Sequence, residues 1–159
     1  AEAGGNPLRQ DLRELTGLAS QSVMLCREIA EGLAPMQLAR GGLRNALRSL
    51  ALATRAMYGI EVRCSVRGIG ARDVPARVAH QLYRITQEAI GNAVQDGQAR
   101  RVELQVVRDG DHLVLSVSDD GRAMPERPAG GLGLHTMRYR AKLVDAELDA
   151  TGIEGGMQV

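Results

Sequence analysis

The fold turns on one stretch, LYRITQEAIGNAVQDGQARRVELQV, residues Leu82–Val106, in which a helical pattern ends and a strand begins. Upstream it extends into ARDVPARVAHQ, where Asp73 is placed to cap a helix and Pro75 to sit in its first turn. Val78, Leu82, Ile85, Ala89 and Ala93 then recur at spacings of three and four, the apolar stripe of a long amphipathic helix. Glu88 and Asn92 lie four residues apart on a flank of that stripe, aligned with each other. Downstream, RVELQVVRDG and DHLVLSVSDDG read as two strands joined at Asp109-Gly110-Asp111, a hairpin signal.

The rest of the chain supplies partners for this helix and hairpin. Leu8, Leu12, Leu15, Ala19, Ser22, Cys26, Ile29 and Leu33 form a heptad-like seam, as in coiled coils and helix bundles. GLAP (32–35) breaks it, and a second helix follows over roughly Pro35–Met57, weakened near its start by Gly41 and Gly42. YGIEVRCSVRG (58–68) alternates Ile60, Val62, Cys64 and Val66 with charged residues, the period of a half-buried strand. GLHTMRYRAKLVDA (133–146) predicts a last helix and ELDATGIEGGMQV (147–159) a closing hairpin. Hairpins interleaved with helices predict an α+β fold, a two-layer α/β sandwich, and not a doubly wound parallel sheet.

Composition narrows the chemistry. With no Trp, no Phe and three Tyr in 159 residues, the core must be aliphatic, and aromatic stacking on nucleic acid is excluded as a main activity. A net charge of +1 gives no global field to steer polyanions. Cys26 and Cys64 stand far apart without a CxxC or a histidine companion, which argues for a reduced setting and against a zinc site. No apolar run of about eighteen residues is present to span a membrane, nor is there a secretion leader. The chain opens on AEAGG without Met and stops at GGMQV inside an expected strand, as a piece of a longer protein would. The expected location is cytoplasmic, with a parent that is free or membrane-anchored.

Three stretches carry polar and glycine residues beyond structural need. A carboxylate such as Glu88 can take a proton, and the amide oxygen of Asn92 is a hard ligand suited to magnesium held against phosphates. In VSDDGRAMPE (117–126) an acid at a strand end precedes Gly121, which lets a ligand approach the backbone. In AGGLGLHTM (129–137) glycines lead into a helix N-terminus, a ready phosphate site, with His135 at the helix start as a candidate phosphate contact. No GK[ST] follows, so this is not a Walker loop. Singly, the three are a solvated helix edge, an Asp-Gly turn and a hinge.

Together, in this order, they resemble the Bergerat nucleotide-binding fold of DNA gyrase, chaperone and mismatch-repair ATPases and histidine kinases. LYRITQEAIGNAVQDGQARRVELQV, VSDDGRAMPE and GGLGLHTMRYRAKLVDAELDA look like the catalytic domain of the nitrate-sensor and desaturase-sensor type of sensor histidine kinase. REIAEGLAPMQLARGGLRNALRSLA (27–51) is similar to the second dimerisation helix and connector of such kinases. The resemblance divides the chain into a helical segment, 1–57, and an ATP-binding catalytic domain, 58–159. It implies ATP and magnesium as cofactors, with Asn92 chelating the magnesium on the phosphates and Glu88 as the general-base or water-ordering carboxylate. The same resemblance implies that Asp119 hydrogen-bonds the adenine amino group, that Gly121 lets the base approach, and that Gly131, Leu132 and Gly133 lie by the phosphates.

The implied partners are a phosphoacceptor-histidine helix of the same or a partner protomer, a response regulator and a second protomer in a homodimer, with no nucleic acid. His80, His112 and His135 lack the acidic context that this family phosphorylates. The chain departs from the pattern at Gln95 and Asp96, where relatives carry Lys-His, and at Ala123, where they carry a second glycine. Those departures keep open a degenerate module for dimerisation or protein interaction. An anti-sigma-type serine kinase of the same superfamily is a third reading, against which the N-terminal helix pair argues.

Overall fold

The computed structural model describes residues 36–70, 72–122, 132–153 and 156–159. The seam Leu8–Leu33, the part of the resembled dimerisation segment before Met36, and residues 123–131, with Ala123 and Gly131, lie outside the described residues.

Residues from Pro35 to Val159 form one compact unit. Its elements run α1 (Met36–Tyr58), β1 (Glu61–Arg67), α2 (Ala76–Gln95), β2 (Arg101–Asp109), β3 (His112–Asp119), α3 (Leu132–Lys142), β4 (Thr151–Ile153) and β5 (Gly156–Gln158). The five strands make one mixed sheet in the order β1-β2-β3-β5-β4. β1 and β2 are parallel and every other pairing is antiparallel. A parallel pair needs a crossover, and α2 provides it. The expected two-layer sandwich is therefore the observed one, helices on one face of a mixed sheet.

The strand pattern explains why only one face is covered. Val102, Leu104 and Val106 of β2 are fully buried, while Glu103, Gln105 and Val107, each the next residue along, are exposed. Each buried side chain contributes roughly 1.5–3 kcal/mol of transfer free energy. α2 lays Leu82, Ile85, Ala89 and Ala93 into that face. The small Ala89 and Ala93 suit a helix end that must lie close to the sheet. Thr86, with no exposed surface, returns its hydroxyl hydrogen bond to the Leu82 carbonyl at 2.8 Å, so the polar group is satisfied inside the core. Leu43 and Leu47 of α1 and Met137 of α3 close the same core from either side of α2.

Local chemistry differs from expectation at three points. Asp73 does not cap α2: its carboxylate accepts the Gly70 N–H at 2.6 Å, and Pro75 takes the cap position with no side-chain hydrogen bond. Pro has no N–H and a pre-set φ, so the helix can begin there without a capping oxygen. Gly42, at φ 67 and ψ −174, breaks α1 outright, a backbone state open to glycine. The last helix ends at Lys142, four residues before the expected Ala146.

Candidate functional site

The C-terminal half of α2 and the end of β3 enclose a cavity of about 290 Å³. Its apolar wall is Ala89, Ala93, Val117, Met157 and Val159, and its polar groups are Asn92, Asp96, Asp119 and Arg122. Volume and lining suit a flat heteroaromatic group held by a few directed polar contacts.

The rim is made by the way α2 ends. Asp96 N–H and Gly97 N–H both donate to the Asn92 carbonyl at 3.0 Å, which widens the final turn, and Gln98 follows at φ 54. The Ala99 N–H then returns to the Ala93 carbonyl at 2.9 Å. The Gly97 carbonyl is turned toward β3, where the Arg122 N–H donates to it at 2.7 Å. Helix end and strand end are thus joined through backbone alone.

Asp119 is the last residue of β3 and lies on the inward side, in register with the buried Val102. Its Oδ1 accepts the Gly121 N–H at 2.8 Å. Burial pushes its carboxyl above the usual aspartate range, the Gly121 bond opposes that rise, and the neighbouring Asp120 charge adds to it. A partly buried carboxylate above an apolar wall is an acceptor awaiting a donor. Asp120 behaves oppositely: its Oδ1 accepts the Arg101 N–H at 2.7 Å and the Arg100 N–H at 2.8 Å. The Arg101 bond, more than any other cause, holds the Asp120 carboxyl below the ordinary range.

At the other end of the cavity Gly133, in the first turn of α3, backs onto α2. A Cβ there would run into the Glu88 carboxylate and stand 2.9 Å from Asn92 Nδ2. Glu88 and Asn92 therefore meet the N-terminus of α3, where the helix dipole favours an anion. Among the described residues no group of three or more His, Cys, Asp or Glu could hold a metal ion alone. The Asn92 amide oxygen, lining the cavity, fits a cation that arrives already bound to phosphate oxygens.

Of the residues singled out in the sequence, Asn92 and Asp119 line the cavity, Gly121 forms its rim, and Glu88 and Gly133 face each other at one end. His135 is exposed on α3 and is not among the lining residues. Leu132 begins α3. Sequence reasoning missed Gly97, Arg122 and the closing strand residues Met157 and Val159, which reach the cavity only through strand pairing. It also missed Asp120, for which the doubled acid at the strand end was the available signal.

Comparison with known proteins bears on the fold and the family. The profile of the family described as histidine kinase-, DNA gyrase B-, and HSP90-like ATPase matches residues 77–159, more than half of the chain. The sensor protein VraS of Staphylococcus haemolyticus is 27% identical over 142 residues, covering 88% of this chain and 40% of that protein. VraS of Staphylococcus aureus is 28% identical over the same shares. The chain thus spans about two fifths of the length of these curated relatives. Among solved structures, the histidine kinase domain of the blue-light activated histidine kinase of Erythrobacter litoralis superimposes with a TM-score of 0.61 at 28% identity, covering 73% of this chain and 58% of that one. The ATP binding domain of PrrB from Mycobacterium tuberculosis shares the fold, with a TM-score of 0.58 at 22% identity over 73% of this chain and 88% of its own.

Proposed function

The chain belongs to the histidine kinase-, DNA gyrase B- and HSP90-like ATPase family, and from that premise we propose that it is the ATP-binding catalytic part of a two-component sensor histidine kinase. The observation that carries the reading is Asp119, a partly buried carboxylate at the strand end, tied to Gly121 and facing an apolar cavity. It accepts the adenine amino group, and the flat apolar wall takes the faces of the base.

The phosphates extend toward Asn92 and the N-terminus of α3. Asn92, through its amide oxygen, would hold a magnesium ion bound with the nucleotide, which would supply neutralisation of the phosphate charge. A histidine nitrogen on a dimerisation helix of the same or a partner protomer attacks the γ-phosphorus as the bond to the β–γ bridging oxygen breaks, releasing ADP. Glu88 is placed to order that imidazole or take its proton. Positioning and charge neutralisation account for most of the rate in such a transfer. The phosphoryl group then passes to an aspartate of a response regulator, and the parent acts as a homodimer through the seam Leu8–Leu33. Residues ahead of α1 serve that dimerisation, and residues 58–159, with α1 packed into their core, bind the nucleotide.

Calorimetric titration of ATP with and without magnesium, on the wild type and Asp119→Asn, tests the reading. Binding that Asp119→Asn leaves unchanged would sink the adenine assignment. Asp96 in the cavity lining favours one other reading, a module that has lost nucleotide binding; absence of ATP binding at millimolar nucleotide, with a stable dimer, would establish it.

A further inference from the structure

We propose that Asp120 is a positioning residue for base recognition, clamping the end of β3 to the start of β2 so that Asp119 is held facing the cavity. This rests on the reading of Asp119 as the adenine contact. One oxygen, Asp120 Oδ1, accepts two consecutive backbone N–H groups, from Arg100 at 2.8 Å and Arg101 at 2.7 Å. These are the residues through which the chain passes from α2 into β2, about twenty positions away in sequence. The Asp120 N–H in turn donates to the Arg101 carbonyl at 3.2 Å, and the Arg122 N–H to the Gly97 carbonyl at 2.7 Å. The turn Asp119–Arg122 is fastened to the 97–101 connection at both ends.

Asp119 depends on that fastening. Its own hydrogen bond, from the Gly121 N–H, lies inside the turn and moves with it. Asp120, one residue past the end of β3, turns its carboxylate to the Arg100 and Arg101 N–H groups, is exposed and does not line the cavity, so it acts on the ligand only through the backbone. A carboxylate bonded to two N–H groups is a stiff link, because charge-assisted bonds are the stronger class. Their geometry asks only for one acceptor oxygen in that place, which an asparagine also supplies.

The test compares ATP with inosine triphosphate, which lacks the exocyclic amine, by calorimetry in the presence of magnesium. The wild type is expected to prefer ATP by about tenfold or more, as sites built to hydrogen-bond a group do. Asp120→Ala is expected to bring that ratio near one by weakening ATP alone, and Asp120→Asn to restore it. Where Asp120→Ala melts below the titration temperature, Asp120→Glu replaces it; it keeps the charge, displaces the oxygen by one methylene and is expected to lose the ratio too. A purely structural role would lower both affinities together and leave the ratio intact, which overturns the proposal. So does an Asp120→Asn variant as indiscriminate as Asp120→Ala. A wild type that binds both nucleotides alike, or neither, refutes the Asp119 reading itself, and the proposal falls with it.

Discussion

A side-chain carbon on Gly121 would stand 2.6 Å from the carbonyl oxygen of Gly97, and that same oxygen accepts the Arg122 N–H at 2.7 Å. The strand end and the helix end approach closely through backbone, and the contact exists because Gly121 has no side chain in the gap. Gly121→Ala is therefore expected to cost about 1–3 kcal/mol, read in denaturant melts. ATP affinity should fall with it, since the rim must open to admit the methyl group. An unchanged melt would contradict the contact.

Gly133→Ala separates binding from stability. The atoms nearest the methyl group are the flexible ends of Glu88 and Asn92, which can swing aside, and alanine favours a helix over glycine by about 1 kcal/mol. The thermal melt should hold or rise slightly while affinity for ATP with magnesium drops. Titrations with and without magnesium locate the loss, which should vanish without the metal if Asn92 is the group displaced.

Asp119 carries the expected pH dependence. Its folded-state pKa is raised, chiefly by burial, so the folded state holds that proton more tightly than the unfolded chain does. The contribution to stability is fully present below the ordinary aspartate value and is lost as pH rises through the raised one. Asp119→Asn should accordingly raise the melting temperature at neutral pH and leave it unchanged in acid below the ordinary value. ATP binding, which needs the carboxylate, should weaken in the wild type as pH falls through the raised value. A variant less stable at neutral pH would refute the desolvation account.

Asp96 stands in the cavity lining, one turn beyond Asn92. An exposed anion near a triphosphate opposes binding weakly, by about 0.5–1 kcal/mol at low salt and less as salt rises. Asp96→Asn should tighten magnesium-free ATP binding several-fold at low ionic strength and hardly at all at high. Equal effects at both salts would mean a contact and not a field.

Leu104 tests the core that supports the site. It has no exposed surface at the middle of β2. Leu104→Ala should cost about 2–5 kcal/mol, measured by chemical denaturation. A loss below about 1 kcal/mol would mean that the helices collapse onto the sheet when the side chain is removed.

Most of the fold was legible because its signals are periodic. The stripe Val78, Leu82, Ile85, Ala89 and Ala93 predicted α2, and Asp109-Gly110-Asp111 predicted the β2–β3 hairpin. Local hydrogen bonding was less legible. Asp73 has the right residue type and place to cap α2, but its carboxylate finds the Gly70 N–H at 2.6 Å instead. Several nearby N–H groups compete for one short acceptor, and only the path of the loop selects among them.

The alternation of helix and strand, the aliphatic core, and three polar stretches in an order that resembles a nucleotide site can all be read along the chain, because each depends on near neighbours or on composition. It took the folded arrangement to bring Asn92, Asp119, Arg122 and Met157 into one cavity and to set Gly97 against Gly121. That arrangement also revealed that Asp120 serves the backbone while Asp119 faces the cavity. Those relations join residues that chain-local periodicity cannot connect; they are set by parallel pairing of β1 with β2, by the register of β3 on β2 and β5, and by the way α2 ends.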